Sequence, residues 1–159
     1  MFRITGEYQA TIDDKGRMKL PAGLIKQFTE QGVALNFTLN RGFDKCLMLY
    51  PKTVWDKKAS EVDTLNIYHP EQRQFLRYFY RGATNTIADA ADRLLIPKSL
   101  ADHAGLQKEI VLFAYLNQVE LWDAQTYYNE LAKEPTNFSD LAEKVFGRNP
   151  LAQSSIQTA

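Results

Sequence analysis

The residues of this chain with the clearest chemical potential are three cations near its N-terminus, Lys15, Arg17 and Lys19. If residues 17–20 form a strand, its two-residue period sends Arg17 and Lys19 to one face and their apolar neighbours to the other. Such a ribbon can contact DNA phosphates, and an arginine can read guanine in the major groove through two hydrogen bonds. A solvated edge that prevents strand pairing between molecules would carry the same pattern. The cluster therefore leaves two interpretations open.

Two aspartates each stand four residues before an arginine, Asp13 before Arg17 and Asp89 before Arg93. Carboxylates repel phosphate, so we expect a structural role for both. An aspartate can accept hydrogen bonds from the backbone of a tight turn and can orient an arginine by pairing with it. Gly16 supplies any positive φ that the first turn needs.

Catalytic chemistry has little support in the sequence. His69 and His103 share no motif with Cys46, and no Cys/His spacing fits zinc. There is no Gly-rich phosphate loop and no G-x-S-x-G elbow. A self-cleaving barrel enzyme of the pyruvoyl type would need a Gly-Ser dipeptide, which the chain lacks. We therefore expect no enzyme activity, no cofactor, no metal and no small-molecule substrate.

The formal charge is zero overall, yet it is unevenly distributed. Residues 1–60 hold ten Lys and Arg against six Asp and Glu, and residues 61–159 hold nine against thirteen. This asymmetry is compatible with a basic face on an otherwise neutral protein. No apolar run reaches the roughly 18–20 residues that span a bilayer, and the start of the chain does not read as a signal peptide. With a single cysteine, we expect a cytoplasmic protein without membrane contact.

The elements that must position these residues occur twice. Residues 13–24 align with residues 89–100 at an offset of 76, and the similarity continues into two apolar strands and a short helix in each copy. Helices are predicted over 22–30 and 98–104. Each copy has only about 50 residues and is too small for a substantial core of its own. We therefore expect the two copies to interleave their strands around one barrel-like core.

A further helix is predicted between the copies, from Pro70 to the residue before Gly82. Phe75, Leu76 and Phe79 are predicted to form its buried stripe. The small polar residues after Pro150 have the composition of a disordered tail.

The two D-x-x-x-R motifs resemble those of the MraZ family, whose members carry tandem SpoVT-AbrB domains. Supporting segments are Asp-Lys-Gly-Arg at 14–17, Leu-Tyr-Pro at 49–51, Arg-Leu-Leu-Ile-Pro at 93–97, His-Ala-Gly-Leu at 103–106 and Val-Glu-Leu-Trp at 119–122. The resemblance covers residues 5–147. It implies a mainly β fold with short helices (α+β), in which two AbrB-like swapped-hairpin half-barrels pack as one pseudo-symmetric barrel-like unit.

The boundaries expected on this basis are 5–58 for the first repeat, 59–81 for the linker with its helix, 82–130 for the second repeat, and 131–159 for a C-terminal helix and tail.

The resemblance also implies a function. It points to a sequence-specific, nucleoid-associated DNA-binding regulator, typically a repressor, that binds short direct repeats upstream of the division and cell-wall gene cluster. Its partners would be double-stranded DNA and further copies of itself in a closed ring. The motif arginines, Arg17 and Arg93, would contact DNA, with Lys15 and Lys19 beside them.

One departure bears on the second repeat. Its turn has no glycine, and Arg93 is followed by two leucines rather than by Met18 and Lys19. We therefore expect Arg17 to contribute more to DNA contact than Arg93. A ring-forming interaction or structural protein without specific DNA reading remains the alternative.

Overall fold

The computed structural model describes residues 2–130 in full, 131 and 132 by backbone alone, and 137–147 in full. Its eight strands are β1 (Gly6–Thr11), β2 (Arg17–Lys19), β3 (Asn36–Arg41), β4 (Leu47–Pro51), β5 (Thr84–Ile87), β6 (Arg93–Leu95), β7 (Glu109–Tyr115) and β8 (Gln118–Asp123). Its six helices are α1 (Ala22–Glu30), α2 (Lys52–Val62), α3 (Pro70–Arg81), α4 (Lys98–Ala104), α5 (Ala124–Ala132) and α6 (Phe138–Gly147). The tail predicted after Pro150 lies outside the described residues.

The strands of the two sequence repeats pair with each other. Six of them form one open sheet in the order β1-β7-β8-β4-β3-β5, and β2 and β6 form a separate antiparallel ribbon. At both ends of the sheet a first strand of one repeat lies against the other repeat, β1 on β7 and β5 on β3. The predicted interleaving and the mainly β class with short helices are therefore confirmed.

One apolar core serves both repeats. It includes Phe28 and Phe37, whose rings meet edge to face at 5.3 Å between centroids. Met18 and Leu94, the central residues of the ribbon, are fully buried in the same cluster. Because neither repeat supplies enough apolar surface alone, sharing the core is what makes the arrangement stable.

The two short helices after the ribbon strands begin where the sequence predicts. Pro21 and Pro97 occupy the position before the first helical residue, where the missing N–H of proline is not needed. Gly105 ends α4 with a φ of 63°, the left-handed conformation that glycine adopts most easily.

The prediction for α3 is correct in its bounds but wrong in its burial. No residue of α3 is buried, and Phe75 is 43% exposed. Phe79 is only half-buried, where it stacks on Trp55 of α2 at 5.0 Å between ring centroids. The 3.6-residue period identifies an apolar stripe, but it does not say how much of that stripe a neighbouring element covers.

The described residues from Thr126 onward belong to a second compact unit. Within it, α6 is amphipathic and contains no buried residue. None of the helices described in either unit has the length and apolar character needed to cross a membrane. Among the described residues, no three His, Cys, Asp or Glu side chains come together as a metal site would require.

Candidate nucleic-acid interface

The ribbon of β2 and β6 places all four predicted DNA-contacting residues on one small element or in its turns. Arg17 and Lys19 belong to β2, and Arg93 belongs to β6. Lys15 lies in the turn that leads into β2. The predicted alternation is confirmed, since Met18 is fully buried between a half-buried Arg17 and an exposed Lys19.

The turn before β2 is built around the carboxylate of Asp13. One oxygen, Oδ1, accepts hydrogen bonds from the backbone N–H groups of Lys15 and Arg17, both at 2.9 Å. The other, Oδ2, accepts a hydrogen bond from Nε of Arg17 at 2.9 Å. Backbone bonds between Asp13 N and Arg17 O, and between Gly16 N and Asp13 O, close the turn. The carboxylate thus fixes both the backbone of the turn and the direction of the arginine.

The turn before β6 repeats this arrangement contact for contact. Asp89 Oδ1 accepts hydrogen bonds from the N–H groups of Ala91 and Arg93, and Oδ2 accepts one from Arg93 Nε, each at 2.9 Å. Asp92 occupies the left-handed position with a φ of 60°. Aspartate tolerates that conformation better than most residues. The absence of glycine in the second repeat, noted from the sequence, therefore does not change the geometry of its turn.

The electrostatics of the two carboxylates follow from these bonds. The hydrogen bond from the Arg17 backbone is the largest influence on Asp13 and holds its pKa below the ordinary 3.8. The backbone of Arg93 does the same for the pKa of Asp89. Both groups are therefore anionic throughout the neutral range, and each can keep its arginine in place.

Most of the hydrogen-bond donors of Arg17 and Arg93 are not used within the described residues. Each uses Nε toward its aspartate, and within the described residues neither of its terminal nitrogens makes a hydrogen bond. The Arg17 side chain is 31% exposed and that of Arg93 is 34% exposed. A guanidinium held through Nε, with its terminal donors unused, is suited to a planar acceptor such as the guanine edge or a phosphate.

The register of the ribbon brings cations of the two repeats together. Lys19 lies directly opposite Arg93, and Arg17 lies opposite Leu95. Neither Lys15 nor Lys19 makes an ion pair within the described part of the chain. Like charges opposite each other weaken a β-ribbon. An anionic ligand on this face would relieve that repulsion.

Two features of this surface were not predicted from the sequence. Leu95 stands on the exposed face opposite Arg17, and Asp92 takes the role of Gly16. The run Arg-Leu-Leu-Ile at 93–96 shows no polar alternation that would mark one leucine as exposed. The repeat offset of 76, which equates Asp92 with Gly16 and Leu95 with Lys19, is the signal that could have found both.

Comparison with known proteins gives a consistent assignment. The family model described as "MraZ protein, putative antitoxin-like" matches twice, over residues 3–78 and 79–149. The protein of Cytophaga hutchinsonii called Transcriptional regulator MraZ is 43% identical over 140 residues, which cover 88% of this chain and 92% of the relative.

Two further relatives have the same printed name. The protein of Christiangramia forsetii is 37% identical over 94% of this chain and 96% of its own length. The protein of Flavobacterium psychrophilum is 38% identical over 92% of this chain and 94% of its own length. With two matches of the family model spanning nearly all of its length, this chain belongs to the MraZ family.

Proposed function

We propose that this protein is a transcriptional regulator that binds double-stranded DNA through the β2–β6 ribbon, and that it is not an enzyme. The observation that carries the proposal is the pair of matching turns on one ribbon. In each, an aspartate accepts a hydrogen bond from the Nε of an arginine at 2.9 Å, and no other described residue bonds to the terminal nitrogens of that arginine. The regulator names of the relatives support the same conclusion.

The residues divide into two roles. Arg17 and Arg93 read base edges, because a fixed guanidinium offers two parallel donors to guanine. Lys15 and Lys19 contact phosphates, for which a mobile ammonium is suited. Asp13 and Asp89 orient the arginines, and Gly16 permits the turn.

The proposal includes the finer features that the family resemblance implies. The protein assembles as a ring of identical chains, binds consecutive short direct repeats upstream of the division and cell-wall gene cluster, and represses transcription in the cytoplasm, at the nucleoid. A single ribbon with three or four cations would bind one repeat weakly. Several ribbons on a ring would make the later contacts intramolecular and raise avidity by about 10²–10⁴.

The direct test is fluorescence-anisotropy binding to DNA from upstream of the protein's own coding sequence. Arg17→Ala and Arg93→Ala should each weaken binding by roughly 1–3 kcal/mol per lost base contact, with the larger loss for Arg17→Ala. Lys26→Ala is the matched control, since Lys26 is a cation on α1 whose side chain is 75% exposed. Size-exclusion chromatography run in parallel reports the oligomeric state of each variant.

The outcomes separate this function from its alternative. Lost binding with an unchanged oligomer supports the ribbon as the reader. Equal binding by wild type and both arginine variants would show that the ribbon is not the DNA-contacting surface. If the wild type forms an oligomer yet binds no DNA, the protein is an assembly or interaction protein instead.

A further inference from the structure

The ribbon has an approximate two-fold axis that its side chains do not fully obey. Met18 pairs with Leu94, the residue 76 positions later, so the axis passes between these two. The axis relates Arg17 to Arg93, which are identical in type and in their aspartate contacts. It also relates Lys19 to Leu95, which are chemically unlike. One end of the ribbon therefore presents Arg93 with Lys19, and the other presents Arg17 with Leu95.

Leu95 is held at the exposed face rather than in the core. It is 56% exposed, whereas its neighbour Leu94 is fully buried. Its Cδ1 lies 3.8 Å from the position that a Cβ on Gly16 would occupy, so the side chain lies beside the Asp13–Arg17 turn. Its carbonyl oxygen accepts a hydrogen bond from the buried Thr86 hydroxyl at 3.2 Å. This bond holds the backbone of Leu95, and the strand register places its side chain on the same face as Arg17.

The two ends favour different features of a DNA groove. The pair of Lys19 and Arg93 has two positive charges and suits phosphate or the acceptors of guanine. The side chain of Leu95 has no hydrogen-bonding group, so it can favour binding only by covering an apolar group. In the major groove the apolar group on a base edge is the C5-methyl of thymine.

We propose that Leu95 contacts a thymine methyl adjacent to the base read by Arg17, so that the ribbon reads its site with a fixed polarity. This inference rests on the proposed function and adds a specificity-determining residue to it. A ribbon with chemically equivalent ends would favour the same bases at both ends. This ribbon would favour a thymine beside the end that carries Arg17 and Leu95, and phosphate or guanine at the end that carries Arg93 and Lys19.

The expected effect is measurable. Removing a buried methyl group corresponds to roughly a fourfold loss of affinity for each contact. Replacing thymine by uracil removes the C5-methyl and leaves base pairing unchanged. Both probes are made by amplifying the DNA upstream of the protein's own coding sequence, one with dTTP and one with dUTP, and the sequence of the target site need not be known.

The experiment measures the ratio of affinities for the thymine and uracil duplexes by anisotropy. For the wild type we expect a ratio of about four or more. For Leu95→Ala and Leu95→Lys the ratio should fall to near one. Leu95→Lys should still bind DNA in a salt-dependent way, because it introduces the same charge that Lys19 carries at the equivalent position of the first repeat. Ile87→Ala is the matched control, since Ile87 is an aliphatic residue of β5 with 62% exposure. This variant should keep the wild-type ratio.

Each result has a definite meaning. A wild-type protein that binds both duplexes equally overturns the thymine contact and leaves the proposed function intact. Equal uracil sensitivity in the wild type and both Leu95 variants also overturns it, because another residue would then read the methyl. A wild type that binds neither duplex contradicts the proposed function itself. Thermal denaturation of each variant excludes loss of folding as the cause of any change.

Discussion

Gly16 and Asp92 occupy the same position of two matching turns, with φ angles of 79° and 60°. The carbonyl oxygen of each accepts a hydrogen bond from the other repeat, Gly16 O from Ile96 N at 2.8 Å and Asp92 O from Leu20 N at 2.9 Å. The left-handed residue of each turn is therefore part of the connection between the repeats.

Gly16→Ala is expected to destabilise the protein by about 1–3 kcal/mol. A non-glycine residue at this φ is strained, and the new Cβ would lie 3.2 Å from the carbonyl oxygen of Ile96. Gly32→Ala is the control, because Gly32 also has a positive φ, 71°, but a Cβ there meets no atom within 4 Å. Urea denaturation should show a larger loss for Gly16→Ala than for Gly32→Ala. An equal loss would mean that the contact with Ile96 is unimportant.

Asp92→Gly is expected to raise the free energy of unfolding slightly, by up to about 1 kcal/mol. Aspartate at a φ of 60° is tolerated but less favourable than glycine in this region. Urea denaturation measures the change, and a clear loss of stability would indicate that the Asp92 side chain itself stabilises the turn.

Asp13→Asn is expected to weaken DNA binding even though it removes a negative charge from the binding surface. Asparagine keeps one oxygen but cannot hold both backbone N–H groups and the Arg17 Nε as the carboxylate does. The matched control is Asp14→Asn, which removes the same charge from a residue that makes no hydrogen bond or ion pair within the described residues. Anisotropy should show weaker binding for Asp13→Asn and equal or tighter binding for Asp14→Asn. Tighter binding by both variants would contradict the positioning role.

Acid should destabilise the two turns. The pKa values of Asp13 and Asp89 are lowered in the folded protein, chiefly by backbone hydrogen bonds from Arg17 and Arg93. A lowered folded-state pKa stabilises the protein above the unfolded value of about 3.8, and that stabilisation is lost as the pH falls below it. The free energy of unfolding should fall less between pH 6 and pH 3 in an Asp13→Asn/Asp89→Asn variant than in the wild type. Parallel curves for the two proteins would contradict this prediction.

Neither half of the chain should fold as a monomer. Residues 1–81 contain β1, β2 and β3 but lack β7, β6 and β5, with which those strands pair. Circular dichroism and size-exclusion chromatography of this fragment should show either an unfolded chain or a folded dimer in which two copies replace the missing partners. A folded monomer would contradict the shared core.

The sequence was sufficient to predict much of this architecture. The repeat offset, the prolines before α1 and α4, and the alternation at Arg17–Lys19 are local signals, and each corresponds to an observed element. The pairing of Lys19 with Arg93 could not be read in the same way, because the register of two short strands is set by how Met18 and Leu94 pack into the common core. The exposure of Phe75 on α3 was missed for a related reason, since periodicity carries no information on which neighbour is long enough to cover a stripe.

The two-fold axis between Met18 and Leu94 affects which amino-acid substitutions the ribbon can accept. In a dimer of identical chains, a residue beside a two-fold axis meets its own copy, and every substitution there appears twice. In this chain the two residues beside the axis, Met18 and Leu94, are separate positions of one sequence. A substitution at one of them can therefore be compensated by a substitution at the other. Two repeats in one chain can therefore carry different side chains at the two ends of the ribbon, such as Lys19 and Leu95, while the paired centre that supports them stays complementary.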